Sequence, residues 1–395
     1  MSIKIINDKK SFKNIFRDNW AKFKQKYSSY NDEHYNQAVQ KMLDCGDEGN
    51  GYTEYRCTKC GEGVRRIAFT CKSVFCLSCG KVYSDSVVAQ VSKTLHLGVS
   101  YRHIVLTVPE QLRQFFYNNR KRKEVYSGLM KAGYECLEEV VSVVKKQSVK
   151  IGTIVVIHTH GRSGIYNPHI HVIATDGGIN EKGGKWVNLG YIPYETLRKK
   201  WQYHLLSMIK EGCDKKTEKE IDMLWKKYPE GFVSHVSKGR APEHSAGLAK
   251  YLAKYIASPP ISVRRLIGYG DDSVSYYYKD HRTKESKIET VPIETFIGRM
   301  VQHILPKGFQ RIRYYGLQAT KSFNKWCDTI REGLRKIGKV VKGAYQIVRA
   351  LDYRGRYIEA FGKDPCLCGQ CKSIMTLWRI WHPKYGLLYC SIDSG

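Results

Sequence analysis

The chain has 395 residues and carries 66 lysines and arginines against 37 aspartates and glutamates, a formal charge of +29. With 42 % hydrophobic residues it is a folded protein and not a disordered tail, and the charge surplus points to a polyanionic partner, above all nucleic acid. No apolar run is long enough to span a membrane and the first residues carry no signal-peptide core, so an intracellular protein is expected, and its 13 cysteines need a reading other than disulfides.

In chain order, residues 1 to about 44 read as basic and helical, with Phe12, Ile15, Phe16, Trp20 and Phe23 near helical spacing. Residues 45 to 80 are rich in cysteine and glycine, with short strand-like pieces. Cys57 and Cys60 form one CxxC, Cys76 and Cys79 another, about fifteen residues apart, which is the spacing of a four-cysteine zinc ribbon. Cys45 and Cys71 are left over; either replaces one ligand or belongs to a second site. Lys59, Arg65, Arg66 and Lys72 lie within the ribbon and suit a grip on DNA.

"YRHIVLTVPE" (101–110) reads as a buried strand ended by Pro109, and 111–147 as helical. "IGTIVVIHTHG" (151–161) and "PHIHVIATDGG" (168–178) are two more strands, and the Gly/Asn-bearing loop between them suggests a hairpin. Side chains alternate along a strand, so His169 and His171 share a face while Ile170 and Val172 point into the core. The hairpin would bring His158 or His160 across from that pair. Three imidazoles leave coordination positions open, as a catalytic metal requires, and such an ion grips and polarises a phosphate oxygen. His158 is the preferred third ligand because it ends the apolar run, with His160 beside it as a supporting residue.

Helices are expected over 193–228 and a strand in "GFVSHVSK". "SAGLAKYLAKYIASPP" reads as a helix stopped by Pro259 and Pro260. It places Tyr251 and Tyr255 one turn apart on one face, at the edge of the Leu248, Leu252, Ile256 stripe and next to Lys250 and Lys254. A phenol is a poor nucleophile at neutral pH, but a metal that withdraws charge from phosphate makes its attack feasible, with a lysine steadying the charge. Strand-like runs surround "SVSYYYKD", whose tyrosines suit either base stacking or alternating strand packing. The last third reads as basic and helical. "GLRKIGKV" (333–340) lacks the serine or threonine of a phosphate-binding loop and is read as basic helix, with no ATPase activity. Cys366, Cys368 and Cys371, with His382 and Cys390 following, suggest a second zinc set, taken as Cys366, Cys368, Cys371 and Cys390.

The order "VLTVP", "HIH", "YLAKY" resembles the HUH endonucleases: rolling-circle initiators, relaxases and transposases. The blocks "LDCGDEGNGYTEYRCTKCGEGVRRIAFTCKSVFCLSCG", "HTHGRSGIYNPHIHV", "YLAKYIASPPISVRRL" and "ILPKGFQRIRYYGLQA" narrow this, resembling in order the two-tyrosine transposases of the insertion sequence 91 family over roughly residues 40 to 320. Asn167 stands where that family commonly has a further histidine, and His160 where it has tryptophan. The resemblance implies an α+β fold: an antiparallel-sheet HUH nuclease core, an N-terminal zinc ribbon and a basic C-terminal region. The expected segments are 1–95, 96–325 and 326–395. It implies magnesium or manganese on His158, His169 and His171, structural zinc, and Tyr251 and Tyr255 as nucleophiles that form 5′-phosphotyrosine links in rolling-circle-type transposition. Its partners would be single-stranded element ends and target DNA, with host helicase or replication machinery alongside, in the bacterial cytoplasm; homo-oligomerisation stays open. A replication initiator of the same chemistry and a non-enzymatic zinc-ribbon nucleic-acid-binding protein are the rival readings.

Overall fold

The computed structural model describes residues 4–5, 9–211, 215–237, 247, 251, 259–270, 272–280, 283–339 and 352–391. The helices are α1 (Lys9–Lys26), α2 (Glu33–Leu43), α3 (Gly80–Ser92), α4 (Glu110–Asn118), α5 (Lys123–Lys145), α6 (Tyr194–Lys210), α7 (Lys215–Lys227), α8 (Ile293–Val301), α9 (Phe323–Arg335) and α10 (Tyr353–Phe361). The strands are β1 (Lys4–Ile5), β2 (Tyr52–Arg56), β3 (Val64–Ala68), β4 (Tyr101–Thr107), β5 (Val149–His160), β6 (Tyr166–Asn180), β7 (Trp186–Asn188), β8 (Ser234–Val236), β9 (Leu266–Tyr269), β10 (Ser273–Lys279), β11 (Ser286–Pro292), β12 (Ile312–Gly316), β13 (Thr376–His382) and β14 (Gly386–Cys390). The described strand pairs are antiparallel, so the α+β class holds. Among the described residues no helix is long and apolar enough to cross a membrane.

The chain folds into two compact units that do not follow the expected segments. One gathers residues 1–86, 261–301 and 349–395; the other holds 87–260 and 302–348. Two segments therefore change company: 261–301, placed by sequence in the nuclease core, and the end of the chain, expected to be a helical region of its own. "TLWRIWH" explains the second difference. It is rich in aromatic residues and isoleucine, which favour strands, and it forms β13.

In the first unit α1 buries Phe12, Ile15, Phe16, Trp20 and Phe23, as their spacing predicted. Phe12 meets Phe296 of α8 edge-on, with ring centres 6.3 Å apart. Tyr276 of β10 is buried and Tyr277 exposed, so strand alternation accounts for the tyrosine run. A second sheet, β14-β13-β2-β3, joins both ends of the chain. At its centre the fully buried Glu54 carboxylate takes Arg56 and Arg66 at 2.8 Å and Arg379 at 2.9 Å. Burial alone would raise this carboxyl, but the hydrogen bonds from Arg66, Arg56 and Arg379 outweigh it and hold it below the usual range.

The second unit is built on the sheet β12-β5-β6-β4-β8, with β7 beside β6. One face carries Leu106, Ile157, Ile170 and Val172, which pack in a buried core with Leu129, Met130 and Leu137 of α5 and Trp201 and Leu205 of α6. The approach of α5 to the sheet needs a glycine: a Cβ on Gly133 would lie 2.1 Å from Cδ1 of Ile170. That contact seats Ile170 between the two histidines and leaves them on the opposite face.

Candidate active site and metal centres

The expected hairpin forms, and its register sets the site. His158 on β5 pairs directly with His169 on β6, and Val156 pairs with His171. Paired residues and their i+2 neighbours share a face. The ring nitrogens of His158, His169 and His171 accordingly lie within 4.8 Å of one another. His160 falls past a register shift between residues 158 and 160 and is not in this set. Its ring instead stacks on His158 at 5.2 Å and meets His303 edge-on at 5.5 Å.

The donor set fits a metal ion. Nδ1 of His169 donates to the Asn167 carbonyl at 2.8 Å, which leaves Nε2 bare and only 3.2 Å from Nε2 of His171. Nε2 of His158 is buried without a hydrogen-bond partner among the described residues. A buried, unpaired nitrogen is costly, and an ion at this point would satisfy three at once. Burial is the main cause that pushes all three rings below the usual histidine range, and the Arg311 guanidinium adds to it. They are neutral at physiological pH, the form that ligates metal.

His103 went unread in the sequence. It lies on β4, which pairs Val105 with His171 and Thr107 with His169 and so puts His103 on their face. Its Nε2 is 2.8 Å from Nδ1 of His171, and its Nδ1 is 3.3 Å from the Tyr251 hydroxyl and 3.4 Å from Ser237 Oγ. The strand alternation marks a face for His103, but the sequence does not tell which strand lies next to it. Thr159 and Gly164 hold His303 behind the site, the Gly164 carbonyl accepting from its Nε2 at 2.9 Å. Of the two tyrosines, Tyr251 is placed; Tyr255 and Lys254 lie outside the described residues.

The cysteines regroup. Cys45, Cys71, Cys76 and Cys79 bring their sulfurs within 4.8 Å of one another, and so do Cys57, Cys60, Cys368 and Cys371. The expected ribbon of Cys57, Cys60, Cys76 and Cys79 is therefore split between two clusters. The hairpin geometry explains why. Tyr52 pairs with Ala68 and Arg56 with Val64, so Cys57 follows one end of the β2–β3 ladder and Cys71 the other. Five residues at about 3.4 Å each keep the two ends roughly 17 Å apart. The expected second set is also revised: Cys366 and Cys390 stand outside it, and Cys57 and Cys60 take their places. In the first cluster Cys45 lies 3.4 Å and Cys71 3.6 Å from the Cys79 sulfur, and Lys13 of α1 donates to the Leu43 carbonyl at 3.2 Å and to that of Cys45.

Two family models match these regions. One, described as "Putative transposase", covers residues 152–325, and one described as "Transposase zinc-binding domain" covers residues 15–108. The histidine strands fall in the first and the Cys45–Cys79 cluster in the second, which defines a transposase with a zinc-binding domain at its start. The chain is 27% identical over 316 residues to the "Transposase for insertion sequence element IS801" of Pseudomonas savastanoi pv. phaseolicola, covering 76% of this chain and 74% of that protein. It is 28% identical over 331 residues to "Putative transposase y4qJ" of Sinorhizobium fredii, covering 80% and 81%. No solved structure matches the chain. The chain belongs to the insertion sequence 91 family of transposases.

Proposed function

We propose that this transposase nicks and rejoins single-stranded DNA by tyrosine attack on a phosphodiester at the histidine cluster, as an HUH strand transferase in rolling-circle-type transposition. The position of Tyr251 carries the reading: its hydroxyl is one imidazole, His103, away from His171. His158, His169 and His171 would hold magnesium or manganese, which when bound withdraws charge from a phosphate oxygen. Cys45, Cys71, Cys76 and Cys79 would hold the structural zinc of the zinc-binding domain.

The side chains supply the rest. The three imidazoles bring no negative charge, and Arg311 adds a positive field, so the centre suits an anionic phosphodiester. With Nε2 of His171 committed to ligation, its Nδ1 carries the proton and donates to Nε2 of His103. His103 then carries its own proton on Nδ1 and donates to the Tyr251 oxygen. That hydrogen bond steadies the charge that grows on the phenolic oxygen as its proton leaves. The oxygen gives its proton to solvent water and bonds to phosphorus, the bond from phosphorus to O3′ breaks, and O3′ takes up a proton from water as a free 3′-hydroxyl. The 5′ end stays on the tyrosine, so the reverse step rejoins a strand without ATP. Tyr255, at i+4, would serve for the second cut that strand exchange requires, and Lys254 would steady charge on phosphate.

The test is denaturing electrophoresis of the protein with labelled single strands from candidate element ends, with and without magnesium or manganese. A metal-dependent covalent adduct is expected, retained in part by Tyr251→Phe and by Tyr255→Phe and lost in the double variant. An adduct in the double variant would remove both tyrosines from the chemistry. Tight binding with no adduct under any metal would leave a nucleic-acid-binding protein.

A further inference from the structure

The zinc-binding family model ends at residue 108, far short of Cys368 and Cys371. Cys57 and Cys60, inside it, take no part in the cluster formed by Cys45, Cys71, Cys76 and Cys79. We infer that Cys57, Cys60, Cys368 and Cys371 hold a second structural zinc, which clasps the end of the chain to the zinc-binding domain at its start.

The two cysteine pairs arrive as matching loops. In the first, the Gly61 N–H donates to the Cys57 carbonyl at 3.1 Å and the Cys57 N–H to the Gly63 carbonyl at 2.8 Å. In the second, the Lys372 N–H donates to the Cys368 carbonyl at 3.1 Å and the Cys368 N–H to the Ser373 carbonyl at 2.8 Å. In each, the residue after the second cysteine has left-handed backbone, with φ of 76° at Gly61 and 58° at Lys372. Residues other than glycine adopt that conformation uncommonly. Such a loop turns both sulfurs of a CxxC to one side, as a metal-binding knuckle requires.

The loops face each other. Cys57 Sγ lies 3.4 Å from Cys371 Sγ, and Cys60 Sγ 3.6 Å from Cys368 Sγ. A disulfide needs about 2.05 Å. Four sulfurs at about 2.3 Å from one zinc stand roughly 3.8 Å apart, close to the spacing found. Sulfurs this near leave room for a single ion and not for a polynuclear cluster, and an all-sulfur tetrahedron suits zinc. The approach is tight enough to exclude a side chain: a Cβ on Gly63 would lie 2.5 Å from Cys368 Sγ. The backbone supports the closure, because β13 pairs with β2 from Thr376 opposite Arg56 to Trp381 opposite Tyr52. The facing cysteines are 314 and 308 positions apart in sequence. A site assembled over that distance cannot exist in the unfolded chain, so its binding energy goes directly into holding this unit folded.

The test is metal analysis of the freshly purified full-length protein and of two double variants. Wild type should carry two zinc ions per chain. Cys368→Ser with Cys371→Ser should carry one. Cys366→Ser with Cys390→Ser, which alters the neighbouring cysteines outside the cluster, should still carry two. One zinc in wild type, iron in place of the second zinc, or two zinc ions in the Cys368/Cys371 variant would each overturn the inference. Should that variant not fold, cobalt substitution of the wild type decides: two equivalents with sulfur-to-metal charge-transfer absorption are expected, and saturation at one refutes the second site.

Discussion

His158, His169 and His171 come from two strands joined by the loop 161–165, whereas Cys57 and Cys60 meet their partners at the far end of the chain. The first centre is local, and a single hairpin register sets it. Its three nitrogens leave coordination positions open, and Tyr251 and Arg311 stand close to it. The cysteine clusters each offer four sulfurs, which fill a tetrahedron and leave no position for substrate. The proposed function asks the first to admit a phosphate, which an open site on a sheet face allows, and the cysteine clusters only to tie segments together, which a closed site does.

The sharpest way to break this contrast is to remove the imidazoles. His169→Ala or His171→Ala should lower strand cleavage by roughly a thousandfold or more, about 4 kcal/mol of transition-state stabilisation. Zinc content should stay as in wild type. Single-strand binding should stay near wild type and fall steeply with salt, because it comes from many lysines and arginines. Cleavage at the wild-type rate by either variant in metal-depleted buffer would mean that the histidines are not a metal centre. Chelation draws the same line more gently. Brief EDTA treatment should abolish cleavage, and magnesium or manganese should restore it, while zinc stays bound. Zinc lost in step with activity would erase the distinction between the open and closed sites.

The same distinction governs what could be read from the sequence. The histidine pair was legible because strand periodicity is two and the strands are adjacent in sequence, so His158 opposite His169 needed only one hairpin. Zinc was legible as a chemistry, because CxxC pairs in a basic chain have few other uses. Its ligand sets were not. Spacing linked Cys57 and Cys60 to Cys76 and Cys79, but the ladder between Tyr52 and Ala68 holds those pairs at opposite ends. No local pattern could have named Cys368 and Cys371 as partners over more than 300 positions. His103 was missed for a milder form of the same reason, since its role depends on which strand lies beside β6.

A smaller effect separates the units by pH. His96 and His303 both lie in the histidine-bearing unit, and burial holds each at about 4. Their ordinary value is about 6.5. Above that value neither folded nor unfolded chain protonates them, and their contribution is complete. As pH falls toward 4 the unfolded chain takes up protons that the folded one refuses, so stability is lost, on the order of 3 kcal/mol for each ring. Thermal melting between pH 8 and 5 should show this slope, and His303→Gln should flatten it. An unchanged slope in that variant would mean that His303 is not a source of the pH effect.

The smallest effect belongs to His103, which touches His171, a proposed metal ligand, and Tyr251, the proposed nucleophile. Its Nε2 holds Nδ1 of His171, and partners of this kind orient a ligating ring and typically govern metal affinity by about ten- to a hundredfold. Glutamine keeps a polar group near that nitrogen, and phenylalanine keeps only the ring shape. His103→Gln should therefore raise the magnesium or manganese concentration needed for half-maximal cleavage by roughly tenfold, and His103→Phe toward a hundredfold. Both should retain zinc and bind single strands as wild type does. Saturating metal should restore most of the rate in the glutamine variant. A rate deficit that persists at saturating metal in His103→Phe would mark the second role of His103, its hydrogen bond to the Tyr251 hydroxyl, where its other nitrogen lies 3.3 Å away, and full recovery of both variants would remove that role. No change in either variant would reduce the contact to packing and leave His171 oriented by its strand alone.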